Sequence, residues 1–432
     1  MIHKKKEIFL CGFLFLWWGG NRAFSQSESR LTLRECYALA RRYHPMTQQS
    51  DLIAEASEYS LRNIQRGRLP QLKINGQLTY QSAVTEIPIE SPNAAFPNLH
   101  KDRYKIYAEA KQLLYNDGSI KKQKLVEKAN ESVNQNQLEV QLYQIKNKVN
   151  QLFFGILLLN EQIRQNGLLE NDIEIGLDKL QTAIESGTAL KTGAYKLKAS
   201  LLKAQQHTAE LESMRKAYRE MLRLFIHREV SNQTVLIKPQ VPFAASLSNT
   251  VNRPELAFYD QQIKRLEMTD DLLDTKVLPQ LSLFVQAGYG RPTPNMFSDD
   301  FDTYYIGGIR LSWHLSAFYT LKNEKEINKI KQLEIQAQRE SFLLQIQQKI
   351  SNENSTIEKY QKMLHSDDEI IEMQRRIKNT SLTQLTNGVI DANDYLRDVN
   401  DENQALQRKS THEIQLLMTQ FEQQTTKGTY NF

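Results

Sequence analysis

Four segments of the chain alternate apolar and polar residues, which is the period-2 pattern of a β-strand with one apolar face and one wet face. After Pro70, for example, Leu72, Ile74 and Leu78 alternate with lysine, asparagine and glutamine. Each segment has about the ten residues that a tilted strand needs to cross a bilayer. A soluble, half-buried sheet would fit any one of them equally well. The predicted strands are about 71–82, 103–114, 280–290 and 303–315.

Long helices are predicted between the strand pairs, at about 118–227 and 318–423. No proline occurs from Gly118 to Ser186. At about 1.5 Å per residue this stretch spans roughly 100 Å, which no compact domain holds. Apolar spacings of four and three residues predict a coiled-coil seam, and an ordinary dimeric coiled coil is the alternative. The seam positions are Leu138, Leu142, Ile145, Val149, Leu152, Ile156, Leu159 and Ile163, then Ile346, Ile350, Ile357, Tyr360, Leu364 and Ile371, with Glu353 and Asp367 at two further positions.

The two halves of the chain repeat one plan. Pro45 is followed 25 residues later by Pro70 in the sequence Leu-Pro-Gln-Leu, and Pro254 is followed 25 residues later by Pro279 in the same sequence. Each half then reads strand, proline-rich loop, strand, very long helix, glycine and helix. We therefore predict two structural repeats, 26–240 and 241–432.

Residues 1–25 are predicted to be a secretory signal peptide. Three lysines precede the apolar run Ile8 to Trp18, and Ala23-Phe24-Ser25 forms a cleavage site. An N-terminal anchor helix, the alternative, needs a longer apolar run. Only Cys36 then remains, so we predict no intrachain disulfide and place this cysteine on the apolar face of the first helix.

Composition and charge narrow the picture further. The 17 glycines and 11 prolines are few for 432 residues, which favours long elements. A mean hydropathy of -0.55 favours narrow apolar seams over one large core. The signal segment holds four basic residues and one acidic residue, so its removal takes the net charge from +5 to about +2. This balance gives no reason to expect nucleic acid as a partner.

Four strands are too few to close a barrel, since about eight is the smallest useful number. An open sheet edge in lipid would leave backbone groups unpaired at several kcal/mol each. A membrane sheet would therefore be assembled from several copies of the chain, and two, three or four copies all give closable barrels. The loops at about 83–101 and 291–302 join the strands of each pair and would lie outside the cell.

The order of these motifs resembles the TolC-type outer-membrane efflux proteins over essentially the whole mature chain. The matching features are Leu31-Thr32-Leu33-Arg34-Glu35, His44-Pro45, the two Leu-Pro-Gln-Leu strand starts, Gln112 to Gly118, and the helical tips at Gly187 and Gly388. The resemblance implies a mainly α protein with a membrane β-barrel, in which a homotrimer forms twelve strands and a coiled-coil tunnel through the periplasm. It also implies a periplasmic adaptor, an inner-membrane pump and outer-membrane lipid as partners.

The resemblance further places a constriction near the last helical tip. The family carries acidic residues six and nine positions after the tip glycine; here these positions are Asp394 and Arg397, with Asp398 one residue further on. We predict that Asp394 forms a cation-attracting ring, with Asp391 and Asp398 nearby and Arg397 pairing with a carboxylate on a neighbouring helix. Solvated charges on an exposed helix are the alternative. The tips at Gly187 and Gly388 are predicted turns and candidate adaptor-docking points.

No enzyme, cofactor or metal site is predicted. The eight histidines are scattered without the spacing of paired ligands, and no nucleophile or carboxylate pair emerges. The segment 365–369 is expected to be a wet helix face, and the stretch from Ala405 to Phe432 is expected to be a helical, glutamine-rich tail. The leading functional hypothesis is a passive exit duct for efflux or type I secretion, whose cargo the sequence leaves open. A non-conducting envelope protein or adhesin is the alternative.

Overall fold

The computed structural model describes residues 30–84, 99–115, 118–240, 250–295 and 298–429. The predicted signal peptide and Phe432 lie outside these ranges. The helices are α1 (Leu33–Tyr43), α2 (Gln49–Arg66), α3 (Ser119–Glu185), α4 (Lys191–Ile226), α5 (Pro254–Leu273), α6 (Ala317–Thr386) and α7 (Ala392–Lys427). The strands are β1 (Arg30–Leu31), β2 (Gln71–Tyr80), β3 (Asp102–Tyr115), β4 (Val235–Leu236), β5 (Gln280–Arg291) and β6 (Asp302–Ser312).

Strands β2, β3, β5 and β6 form one antiparallel sheet in that order. The cross-strand register brings Ile74 opposite Ala108, Ala108 opposite Ala287, and Ala287 opposite Tyr305. All four predicted apolar rows therefore lie on the same face of the sheet. β6 ends before the predicted boundary near 315 because the Trp313 indole leaves the ladder and donates a hydrogen bond of 2.8 Å to the Val277 carbonyl oxygen.

Two very long helices form the rods of the molecule. α3 has 67 residues and α6 has 70, so each is about 100 Å long. α3 packs against α4 near one end and α5 towards the other, while α6 packs against α7 and α5. Among the described helices, none is both long enough and apolar enough to cross a membrane.

The heptad seam of the first half is buried along α3, as predicted. Ile163 is partly buried, and the fully buried members are Leu138, Leu142, Ile145, Val149, Leu152, Ile156 and Leu159. These side chains meet apolar residues of α1, α4 and α7. The seam therefore joins helices within one chain, which differs from the simple dimeric coiled coil.

A small mixed region of the first repeat lies halfway along the rods and contacts the second repeat. β1 pairs with β4 in parallel, and α1 begins with a capping box between Thr32 and Glu35. Cys36 is fully buried in the core behind this helix, as predicted. The Tyr143 hydroxyl on α3 donates to the Thr425 carbonyl oxygen at 2.7 Å, which ties the end of α7 to the first repeat.

Two expectations for the second half are wrong. The segment 365–369 was expected to be a wet face, but Asp367 within it is only 6% exposed, as its seam position requires. α7 covers it and brings His412 Nδ1 within 2.6 Å of its carboxylate. The stretch from Ala405 is helical but not a free tail. Its last turns are buried up to Lys427, and the Thr426 hydroxyl donates to Glu353 Oε1 on α6 at 2.8 Å.

Candidate functional site

Both helical hairpins reverse through the same kind of turn. Gly187 follows α3 with φ 75° and Gly388 follows α6 with φ 71°, a left-handed conformation that favours glycine. The next amide in each turn reaches back to a carbonyl oxygen five residues earlier: Thr188 N–H to Ala183 and Val389 N–H to Gln384, both at 2.9 Å. These bonds satisfy orphan carbonyl groups at the helix ends. The repeat in the sequence is thus a repeat of turn geometry.

The two turns lie side by side and enclose a cleft of about 350 Å³. Its wall contains backbone of both turns together with Leu190, Lys196, Ile390 and Asp391. The cleft combines apolar surface with one charge of each sign. This is the end of the molecule where we predicted adaptor docking.

Asp391 serves as the N-cap of α7 rather than as a free carboxylate. Its Oδ1 accepts hydrogen bonds from the Asn393 N–H at 2.7 Å and the Asp394 N–H at 3.0 Å. These backbone hydrogen bonds hold the pKa of the Asp391 carboxyl below its usual value. The role of Asp391 in the single chain is therefore to start the helix.

Asp394, Arg397 and Asp398 form a chain of charges along one helix. Arg397 Nη1 lies 3.4 Å from Asp394 Oδ1, and Arg397 Nε lies 3.7 Å from Asp398 Oδ1. Arg397 thus pairs within its own helix rather than with a neighbouring one. The Asp398 carboxylate also accepts a hydrogen bond from the Ser381 hydroxyl on α6. Of the two acidic side chains, Asp394 is the more exposed, at 46% against 15% for Asp398.

A buried network of charged side chains lies behind these residues, and the sequence analysis did not predict it. Lys378 on α6 lies 2.8 Å from the Asp172 carboxylate on α3 and 2.7 Å from the Glu402 carboxylate on α7. Arg375 lies 3.2 Å from Glu402 on its exposed side. Burial opposes the charge on Lys378, but the hydrogen bonds to Asp172 and Glu402 outweigh it and raise the pKa of this ammonium group. One cation therefore joins three helices near the tip.

Tyr395 reinforces the same junction. Its hydroxyl donates to the Asp172 carbonyl oxygen at 2.9 Å. Its ring lies against Gly176, where an added Cβ would come within 2.3 Å of the ring. The apolar side chains around it are buried members of the tip core, such as Ile173, Leu197 and Val399. The hydrogen bond and the close packing fix α7 onto α3.

The heptad rule could have revealed this network. Lys378 lies seven residues after the seam residue Ile371, and Glu402 lies seven residues after the buried Tyr395. Charged residues at seam positions of a coiled coil are a signal for a buried ion pair. Within the described ranges, no three His, Cys, Asp or Glu side chains cluster in a way that could hold a metal ion.

At the other end of the molecule, the apolar face of the sheet is bare. Leu72 is 79% exposed, Ile74 80% and Tyr305 86%. The charged side chains on this face are Asp102 and Arg291, which form an ion pair of 2.6 Å at the end far from the rods. β2 and β6 are the two edges of the sheet. A continuous apolar surface of this kind marks a contact with lipid or protein.

Comparison with solved structures places this architecture among outer-membrane channels. The outer membrane protein VceC of Vibrio cholerae matches with a TM-score of 0.65 and 10% identity, over 91% of this chain and 96% of that chain. The CmeC outer membrane channel of Campylobacter jejuni matches with a TM-score of 0.62 and 12% identity, over 92% and 86%. The open MtrE outer membrane channel of Neisseria gonorrhoeae matches with a TM-score of 0.62 and 13% identity, over 92% and 88%.

No protein-family model and no curated protein sequence matches the chain. The likeness is therefore one of three-dimensional structure, and it extends over both repeats and the sheet. The protein has the TolC-type fold, as the order of its sequence motifs predicted.

Proposed function

We propose that this protein is the outer-membrane channel of a tripartite efflux or type I secretion system. It would pass cargo from a periplasmic adaptor and an inner-membrane pump to the outside of the cell, without chemistry of its own. The observation that carries the proposal is the four-stranded sheet with two open edges and a bare apolar face, attached to rods about 100 Å long.

Assembly of three copies would pair the two open edges that the sheet of a single chain leaves exposed. The β2 edge of one copy would pair with the β6 edge of the next, so that every backbone group in the bilayer is hydrogen-bonded. Twelve strands would then form a barrel with its apolar face towards lipid and its polar face towards the bore. The rods would extend this bore into the periplasm and end at the Gly187 and Gly388 tips, where the adaptor would dock.

The alternative function, an envelope protein or adhesin that does not conduct ions, does not explain why the protein has this sheet. A surface-bridging rod needs coiled-coil seams but no exposed apolar face that spans four strands. We therefore place the protein in the outer membrane, with its helices in the periplasm. The choice of cargo belongs mainly to the pump.

The proposal is tested by purifying the protein in detergent and inserting it into planar bilayers. We expect a trimer by light scattering and discrete conductance steps. A monomer that stays soluble without detergent, or a trimer that gives no conductance, would contradict the proposal and favour the alternative.

The constriction is tested by the block of that conductance by trivalent cations added on the side of the helical tips. We expect wild type to be blocked and Asp394→Ala to need a concentration of the blocker about tenfold higher, because three exposed carboxylates are lost. Glu358→Ala, an exposed carboxylate on α6 paired with Lys362, is the matched control. Equal block of wild type and Asp394→Ala would rule out the ring.

A further inference from the structure

The polar face of the sheet carries an unbalanced positive charge. By strand parity and cross-strand register, its described residues include five basic side chains: Lys73, Arg103, Lys105, Lys111 and Arg310. Two acidic side chains share the face, Glu109 and Asp302. The net charge of the polar face is therefore +3 per chain, whereas the apolar face is neutral.

Some of these basic side chains form ion pairs within the sheet, and the others do not. Glu109 accepts hydrogen bonds from Gln286 and from Arg310, whose Nη1 lies 3.5 Å away. Arg310 in turn lies over the Phe284 ring at 4.2 Å. Among the described residues, no carboxylate lies within ion-pair distance of Lys73, Lys105 or Lys111. The same is true of Arg103, so these three lysines and Arg103 are the cations of the polar face that have no ion pair among the described residues.

The lysines are spread along the length of the sheet. Lys111 pairs in register with Gln71 near the rods, Lys73 pairs with Glu109 one level further out, and Lys105 pairs with Gln77 two levels beyond that. Charged positions two residues apart on a strand are separated by about 7 Å. This distance is close to the Debye length of about 8 Å at physiological ionic strength, so the fields of Lys111 and Lys73 overlap. Lys105 lies about 14 Å beyond Lys73, and its field overlaps instead with that of Arg103, one level further out.

The neighbouring strand leaves the outer lysine uncovered. The β5 partner of Lys105 is Gly290, and the partner of the adjacent Tyr107 is Gly288. An added Cβ on Gly288 would come within 2.5 Å of Tyr107 Cβ, so no larger residue fits there. The Tyr107 and Tyr304 side chains lie over Gly288, and the stem of Lys105 itself lies over Gly290. Lys105 as a whole is exposed.

From this arrangement we propose that the barrel section of the bore selects anions, and that the cargo this channel favours is anionic. The inference rests on the proposed function, because three copies are needed to turn the polar face into a wall. Three copies would place a net charge of +9 along the bore. A low-dielectric wall of one sign concentrates counter-ions and raises their entry rate by about tenfold or more. The acidic residue at the tip, Asp394, lies at the opposite end and acts on a different stretch of the path.

The test is sided block of single channels by inositol hexakisphosphate, a compact polyanion. Added on the side of the barrel mouth, it is expected to block wild type and to need a concentration about tenfold higher in the variant Lys73→Gln, Lys105→Gln, Lys111→Gln. The variant with three Lys→Arg changes at the same positions keeps the charge and size of the wall, and its block should stay within about twofold of wild type.

The outcomes separate this inference from the proposed function. A protein that never conducts refutes the channel itself. Conducting channels that the polyanion does not block from the barrel side, or that it blocks equally in wild type and the glutamine variant, refute anion selection alone. If the triple glutamine variant does not insert, the single change Lys105→Gln is compared with Lys105→Arg in the same way, and equal block of these two overturns the inference.

Discussion

A lysine in place of Ile74 is expected to abolish assembly of the channel, whereas a lysine in place of the adjacent Asn75 is expected to leave assembly intact. Ile74 lies in the middle of β2 on the apolar face and is 80% exposed in the single chain. A lysine at the bilayer midplane costs about 2–4 kcal/mol on the lipid face of a barrel. Three copies multiply this cost to about 6–12 kcal/mol, which is comparable to the whole stability of a domain.

Asn75 is the matched control because it differs from Ile74 only in the face to which it points. Its cross-strand partner is Tyr107 on the polar side, where water in the bore would solvate a new ammonium group. The measurement is the amount of trimer recovered from outer membranes on native gels. Recovery of I74K trimer at the wild-type level, or loss of N75K trimer, would show that the face assignment is wrong.

The faces of the strands could be predicted from the sequence, but the order of the strands in the sheet could not. Alternation is a local property, so Leu72, Ile74 and Leu78 were assigned to one face without knowledge of any partner. The contact of β3 with β5 joins residues such as Ala108 and Ala287, which are far apart in the chain. This pairing depends on how the two repeats lie together, and no local pattern contains that information.

At the helical tips, too, local features could be predicted from the sequence and contacts between distant segments could not. The turn at Gly388 could be predicted because glycine is common just past the end of a helix, where the chain adopts a left-handed conformation. Asp367, by contrast, falls at a seam position, but the segment around it was assigned to water, since a carboxylate on a helix is usually solvated. Its burial depends on the register of α7 against α6, which brings His412 opposite it. Heptad spacing marks Lys378 and Glu402 as seam positions, but which carboxylates meet Lys378 depends on how α3 and α7 pack against α6.

The change Lys378→Met is expected to loosen the helical tip more than any other single substitution of a charged residue there. It would leave the Glu402 carboxylate, whose side chain is 5% exposed, and the Asp172 carboxylate, 26% exposed, without their shared cation. Removing one partner of a buried ion pair costs about 3–5 kcal/mol, because the remaining charge is unpaired away from water. Arg375 contacts Glu402 from the outside and compensates part of this loss.

Hydrogen exchange in α6 and α7 measures this effect directly. We expect the amides around 375–402 to exchange faster in K378M, while the seam of α3 around Leu152 is unchanged. Lys362→Met is the matched control, since Lys362 forms an exposed ion pair with Glu358 on the same helix, and such pairs contribute at most about 1 kcal/mol. Equal exchange in the two variants would mean that the network does not hold the tip.

The pH dependence of the tip follows from the same ion pairs. Because the folded protein raises the pKa of Lys378 above its ordinary value of 10.5, its stabilising charge is fully present below that value and is lost only as the pH rises through the raised pKa. The wild-type tip should therefore keep its slow hydrogen exchange from pH 6 to pH 8, after correction for the intrinsic rate.

The double change Lys378→Met and Glu402→Leu removes the cation together with its most buried anion, so it should restore part of the protection that K378M loses. Protection that falls further in the double variant would show that loss of packing, rather than an unpaired carboxylate, loosens the tip.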